Sequence, residues 1–152
     1  MGVAVSMENQ AADQPGASAA LRLIAEVNDL AAIRRFVRET ITQAGGSTQA
    51  ADDLVLAVDE LATNIINHGY RGQPGVIEIV IRREADVVVV QLRDEAPQFD
   101  PTQLPEPDTT LPWHSRPAGG LGVFLARRQV DTMTYQRTAD HRNEVTLTKK
   151  LS

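Results

Sequence analysis

The sequence predicts an α/β fold: a two-layer α/β sandwich with a mixed, mostly antiparallel sheet and its helices on one face. Three observations predict it. Segments of period two and of helical period follow one another as strand, helix, helix, strand, strand, long loop, helix, strand, strand. Two pairs of strands have no helix between them, so each pair reads as an antiparallel hairpin and not as a doubly wound parallel unit. A length of 152 residues, 42% of them hydrophobic, suits one core and is too short for two ordinary domains.

Residues 1–20 are rich in Ala, Gly, Ser and Gln and lack the basic start and apolar core of a signal peptide, so they are expected to be a disordered tail before a single domain at 21–152. Leu21, Leu23, Ala25 and Val27 alternate with Arg22, Ile24 and Glu26 as a strand. Asn28 or Asp29 can cap a helix carrying Leu30, Ile33, Phe36, Val37 and Ile41, which ends at Gly45-Gly46. Ser47 is placed to cap a second helix running to about His68, with Gly69 and the turn Arg71 to Gly75 beyond it. Ile77, Ile79 and Ile81 mark the next strand. Residues Val87 to Leu92 are apolar on both faces, which suits a central strand. From Glu95 to Ala118 there is no periodicity and there are six prolines; a loop this long inside a compact domain tends to be functional. Gly119-Gly120-Leu121-Gly122 opens a third helix to Val130, and strands fit Thr132 to Arg137 and Glu144 to Leu151.

Composition excludes several classes of function. With no cysteine there is no disulfide scaffold, thiol nucleophile or thiolate-held metal, and a cytoplasmic location is the default. Fifteen basic against 20 acidic residues, with no dense basic run, argue against nucleic acid. No apolar run is long enough to span a bilayer.

The second helix carries the sharpest chemical signal. At about 100° per residue, Leu54, Val58, Leu61 and Ile65 form one stripe, while Asp53, Glu60, Asn64 and Asn67 fall within about 60° of each other on the opposite side, with His68 at the rim. A solvated stripe is the ordinary explanation. This one, however, has no basic residue after Asp53 and spends two poor helix formers, both Asn, in its last turns. Glu60 and Asn64 stand one turn apart, and a carboxylate with an amide oxygen suits a hard cation such as Mg²⁺. Asp94 closes a strand where an acid can accept a hydrogen bond from an exocyclic amine. The glycines at 119, 120 and 122 precede a helix, where backbone N–H groups can approach phosphate, although the stretch is neither GxxxxGK[ST] nor GxGxxG.

Together the boxes ELATNIINHGY (Glu60 to Tyr70), LRDEAPQFDP (Leu92 to Pro101) and GGLGVFLARRQVD (Gly119 to Asp131) resemble those of the bacterial anti-sigma-factor serine kinases, in the superfamily that also holds histidine-kinase ATPase domains and gyrase B. The resemblance runs from about Leu21 to the end of the chain. It implies a Bergerat-type ATP-binding fold, with ATP and Mg²⁺ as cofactors and the Pro-rich segment 95–118 as a lid. It implies that Asn64 holds Mg²⁺ on the phosphates and that Glu60 is the general base toward a serine hydroxyl. It implies that Asp94 bonds the adenine amine, that Gly119, Gly120, Leu121 and Gly122 line the phosphates, and that Thr146 helps hold adenine. His68 matches a frequent family histidine and is expected to be structural. The chain departs from the family's Asp-x-Gly at Ala96, which can crowd the base.

The function expected from the resemblance is an ATP-dependent anti-sigma factor that binds a sigma factor and phosphorylates a serine of an anti-anti-sigma STAS-domain protein. It would work as a homodimer through the early strand and first helix, in the bacterial cytoplasm, with neither nucleic acid nor membrane as partner. The alternative is a module in which ATP tunes partner affinity without phosphotransfer, which Ala96 favours. A sensor histidine kinase fragment is disfavoured, because His68, His114 and His141 all fall inside the domain.

Overall fold

A computed structural model describes residues 3–7, 18–105, 110 and 120–152. Its elements in chain order are β1 (Val3–Met7), β2 (Ser18–Ala25), α1 (Leu30–Gln43), α2 (Thr48–Asn64), β3 (Gly75–Glu84), β4 (Val87–Asp94), α3 (Gly120–Gln129), β5 (Thr132–Arg137) and β6 (Asn143–Lys150). The six strands form one sheet in the order β1-β2-β3-β4-β6-β5.

The two-layer α/β architecture is the expected one, but the sheet is not mixed: all five pairings are antiparallel. The reason lies in the connections. Two helices, not one, separate β2 from β3, so the chain returns to the end of the sheet it left, and Ala25 at the end of β2 pairs with Gly75 at the start of β3. A single helix carries the chain from β4 to β5, which sets those two strands parallel to each other. They never touch, because β6 lies between them and pairs antiparallel with both.

The odd positions of β2 and β3 (Leu21, Leu23, Ala25; Ile77, Ile79, Ile81) and the even positions of β4 (Val88, Val90, Leu92) share one face with Val145 and Leu147. This face packs into one core with Ile33, Phe36, Val37 and Ile41 of α1, Leu54, Val58 and Leu61 of α2, and Val123 and Ala126 of α3. On the other face Arg93 bonds Glu78 at 3.0 Å and Glu144 at 2.5 Å, an ionic ladder across three strands. Strand β4 is internal, as its two-sided apolar pattern requires: Val89, on the face away from the helices, is also buried.

The expectation of a disordered tail over 1–20 fails at both of its ends that can be described. Residues Val3–Met7 pair with Ala19–Leu23, and β2 already begins at Ser18. Residues 1–2 and 8–17 lie outside the described residues. The Pro-rich loop also has more structure than its sequence suggests. Pro101–Gln103 form a 3₁₀ turn capped by Asp100, whose carboxylate accepts from Thr102 N–H at 2.8 Å, and Pro101 is buried. Residues 106–109 and 111–118 of that loop lie outside the described residues.

Helix α2 begins as its sequence dictates: Ser47 Oγ accepts from Ala50 N–H at 3.0 Å. It does not end as a simple α-helix at His68. The α ladder stops at Asn64, and Ile65–Gly69 continue as a π turn closed by Tyr70 N–H donating to Ile65 O at 2.8 Å. Substituting Ser47→Ala should remove the cap and destabilise the protein by about 1 kcal/mol in urea unfolding, with an unchanged m-value.

Candidate functional site

A cavity of about 330 Å³ opens where the π turn meets the ends of β4 and β6. Asn64, Ile65 and His68 line it from the helix side, Asp94 and Ala96 from the end of β4, Phe99, Pro101 and Leu104 from the loop, and Asn143 and Val145 from β6. Two of the residues singled out in the sequence, Asn64 and Asp94, therefore share one pocket although they are 30 positions apart in the chain.

Asp94 is 4% exposed. Its Oδ1 accepts from Asn143 Nδ2 at 2.9 Å and from Ala96 N–H at 2.9 Å, and its Oδ2 takes no bond among the described residues. Burial pushes its pKa above the ordinary aspartate value, against the pull of those two hydrogen bonds and of the nearby Arg137 charge. A buried carboxylate with one oxygen satisfied and the other unbonded beside a cavity is what a base-recognising group requires. Asn143 is the residue that sequence reasoning missed. It is 3% exposed; besides Asp94, its Nδ2 donates to the carbonyls of Ala96 and Pro97, and its Oδ1 accepts from Tyr135 Oη at 2.7 Å, Phe99 N–H and Arg137 Nη1.

Thr146 does not belong to this site. Strand alternation decides it: Asn143, Val145 and Leu147 face the helices, while Thr146 pairs across β6 with Gln91 and Thr134 and presents its hydroxyl to Gln91 Nε2 on the opposite face, at 3.5 Å. The position directly opposite Asp94 in the ladder is Asn143.

Ala96 causes no crowding of its own backbone. It is not among the residues with positive φ, so an L-residue sits there without strain. Its methyl group packs on Gly69, where an added Cβ would come within 2.9 Å of it. The space for the methyl is thus supplied by the glycine of the π turn.

Glu60 is not a lining residue of the cavity; it stands one turn before Asn64, against the start of α3. A Cβ at Gly122 would collide with Glu60 Oε2, so the glycine is required by the close approach of α3 to this carboxylate. Burial, and then the neighbouring Asp59 charge, raise the Glu60 pKa above its ordinary value. Asp53, grouped with Glu60 on the helical wheel, has another employment: it pairs with Lys149 Nζ at 2.8 Å, and Lys149 also donates to Gln129 O at the end of α3. Helices α2 and α3 therefore run antiparallel, pinned at Glu60–Gly122 and at Asp53–Lys149–Gln129. Gly120 is the first residue of α3, Leu121 is 42% exposed, and Gly119 lies outside the described residues. His68 is exposed at the cavity rim.

The donor set fits a nucleotide. The cavity offers one unbonded oxygen of the buried Asp94 carboxylate, an Asn64 amide that has no hydrogen-bond partner among the described residues, and a largely apolar wall. No group of three or more His, Asp or Glu among the described residues could hold a metal by itself. A cation at Asn64 would thus need the remaining oxygens from phosphate and water, in keeping with Mg²⁺ chemistry. No helix among the described residues is long and apolar enough to cross a membrane.

Comparison with known proteins identifies the family. The histidine kinase-like ATPase domain family matches residues 23–149. The serine/threonine-protein kinase BtrW of Bordetella bronchiseptica is 32% identical over 96 residues, 62% of this chain and 67% of that protein. The serine-protein kinase RsbW of Bacillus cereus is 26% identical over 115 residues, 73% of this chain and 72% of that one. The crystal structure of the RsbU and RsbW domains of Rv1364c from Mycobacterium tuberculosis superposes on 87% of this chain with a TM-score of 0.59 and 20% identity, a likeness of fold; this chain spans 32% of that longer one. With residues 23–149 matched, the chain belongs to the histidine kinase-like ATPase domain family, an ATP-binding family, and groups there with the serine-protein kinases RsbW and BtrW.

Proposed function

We propose that the protein is an ATP-dependent serine kinase and anti-sigma factor, which binds a sigma factor and phosphorylates a serine of an anti-anti-sigma STAS-domain protein in the cytoplasm. The observation that carries the reading is the placing of Glu60. A carboxylate with a raised pKa stands against a glycine at the start of α3, one helical turn from Asn64 in the cavity that also holds Asp94. The naming of RsbW and BtrW as serine kinases supports it.

In this reading ATP is the phosphoryl donor and Mg²⁺, when bound, neutralises charge on its phosphates. Asp94 Oδ2 accepts from the adenine amine. Asn64 would supply one amide oxygen to the cation. Glu60 takes the proton from the incoming serine hydroxyl as its oxygen bonds to the γ-phosphorus and the bridge to ADP breaks. A base whose pKa is lifted by burial holds that proton better than an ordinary glutamate does. Leu121 and the glycines at 120 and 122, at the start of α3, complete the phosphate end.

The test incubates protein, labelled ATP, Mg²⁺ and an anti-anti-sigma STAS protein. Glu60→Gln should lower transfer by about 10²- to 10⁴-fold with nucleotide binding retained; nucleotide binding without transfer in the wild-type protein would instead favour a module in which ATP only tunes partner affinity. Since the base must be deprotonated and its pKa is raised, the transfer rate should fall as pH drops, and should begin to fall at higher pH than for an ordinary glutamate, with that limb absent from the residual activity of Glu60→Gln. Gly122→Ala should push the Glu60 carboxylate aside and depress transfer more than ATP affinity. Asn64→Ala should abolish the Mg²⁺-dependent part of ATP affinity, and Asp94→Asn should narrow the preference for ATP over GTP by about tenfold, both read by calorimetry.

A homodimer formed through the early strand and first helix completes the proposal. Ile24 on β2 and Val27 just beyond it are 47% and 55% exposed, which supports a covered surface there. The double substitution Ile24→Asp, Val27→Asp should yield a folded monomer by light scattering; an unchanged mass would remove that surface from the assembly.

A further inference from the structure

One phenol links the chain just after the π turn to the backbone that leaves β4. Tyr70 follows the π turn directly, six residues after Asn64. Its Oη donates to Val76 O at 2.6 Å, in β3, and accepts from Glu95 N–H at 2.7 Å, the residue after Asp94. The ring lies on Gly75, where no side chain fits, since a Cβ would collide with three ring carbons. Burial pushes the Tyr70 hydroxyl up to about 12, so it stays an O–H donor throughout the working range of pH.

The backbone that leaves β4 is therefore fixed at successive residues by different groups. Glu95 N–H is held by Tyr70, Ala96 N–H by the Asp94 carboxylate, and Ala96 O by Asn143 and Arg137. Asn143 and Arg137 sit on β6 and β5, and the Asp94 bond is made within the loop itself. Tyr70 alone among these ties the loop to the helix that bears Asn64.

We propose that Tyr70 is a positioning residue for nucleotide-base recognition: by bridging Val76 O and Glu95 N–H it fixes the direction of the Asp94 carboxylate relative to Asn64. The inference rests on the reading of Asp94 as the adenine-binding carboxylate and deepens it. Without the hydroxyl, Glu95 N–H loses its partner, and the turn at 94–96 keeps its hydrogen bonds to the sheet and, on the helix side, only the packing of the Ala96 methyl on Gly69. Asp94 would then remain buried and hydrogen-bonded to Asn143, yet its Oδ2 would no longer be aimed in register with the phosphate end.

The experiment measures ATP and GTP affinity by calorimetry with Mg²⁺, on the full chain, for wild type, Tyr70→Phe, Asp94→Asn and the double variant, with circular dichroism as the check on folding. Tyr70→Phe keeps the ring and should fold; ATP affinity should drop about tenfold and GTP affinity much less, so the ATP/GTP ratio narrows. In the Asp94→Asn background, Tyr70→Phe should no longer change that ratio, a non-additivity that a general loss of stability would not produce. Gly75→Ala, which displaces the ring without removing the hydroxyl, should narrow the ratio in the same way. A folded Tyr70→Phe with an unchanged ATP/GTP ratio overturns the inference, as does full additivity in the double variant. Wild-type protein with no preference for ATP would instead sink the assignment of Asp94, and the role of Tyr70 with it.

Discussion

A carboxylate buried to 4% exposure at the end of a strand is tolerable only if something polar stands opposite it, and here that group is Asn143. Ladder register makes the pair inevitable once β4 and β6 are neighbours, because Asp94 and Asn143 face each other across it. The amide satisfies one carboxylate oxygen, then uses its remaining capacity to gather the loop carbonyls of Ala96 and Pro97 and the side chains of Tyr135 and Arg137. A single side chain thus sets the floor of the cavity, the exit of β4 and the seat of the edge strand β5. Networks of this kind are costly when incomplete, which ties the shape of the pocket to the pairing of strands that are distant in sequence.

The second constraint is the seam between α2 and α3. A glycine lets α3 approach Glu60, and the Asp53–Lys149 pair holds the other end through the carbonyl of Gln129. These contacts align the helix that bears Glu60 and Asn64 with the helix that the glycine stretch begins. The cavity and the Glu60 carboxylate are adjacent and not merged, separated by one turn of α2. In the proposed chemistry the base lies at Asp94 and the γ-phosphate lies toward Glu60, one turn back along α2 from Asn64.

Much of this was legible in the amino acids because it is written in local periodicity. Alternation located β2 to β6 to within a few residues, and Ser47 and the apolar stripe of α2 announced that helix. The Glu60–Asn64 turn could be read from a wheel. What failed to show depends on parity or on distant partners. Thr146 is on the wrong face by a single residue, and only the register with Asp94 shows that Asn143 is the position that counts. The all-antiparallel sheet follows from counting two helices between β2 and β3, a count the sequence did contain. Strand β1 is five residues in an otherwise featureless tail, and what defines it is the edge of β2. Asp53 read as part of a free polar face because Lys149, its partner, lies 96 positions away.

The π turn at Ile65–Gly69 has a consequence for how this chain can vary. Such a turn amounts to one residue more than the α ladder needs, and a chain lacking it would close into an ordinary helix. Everything after the excision would swing by about 100° around the axis. The imidazole would leave the rim, the glycine would no longer sit beneath the methyl of Ala96, and the aromatic ring would lose its bed on Gly75. Substitutions along 65–69 are a matter of side-chain chemistry, whereas a one-codon deletion there is a matter of geometry. The reading frame of this short segment is thus under tighter constraint than its composition.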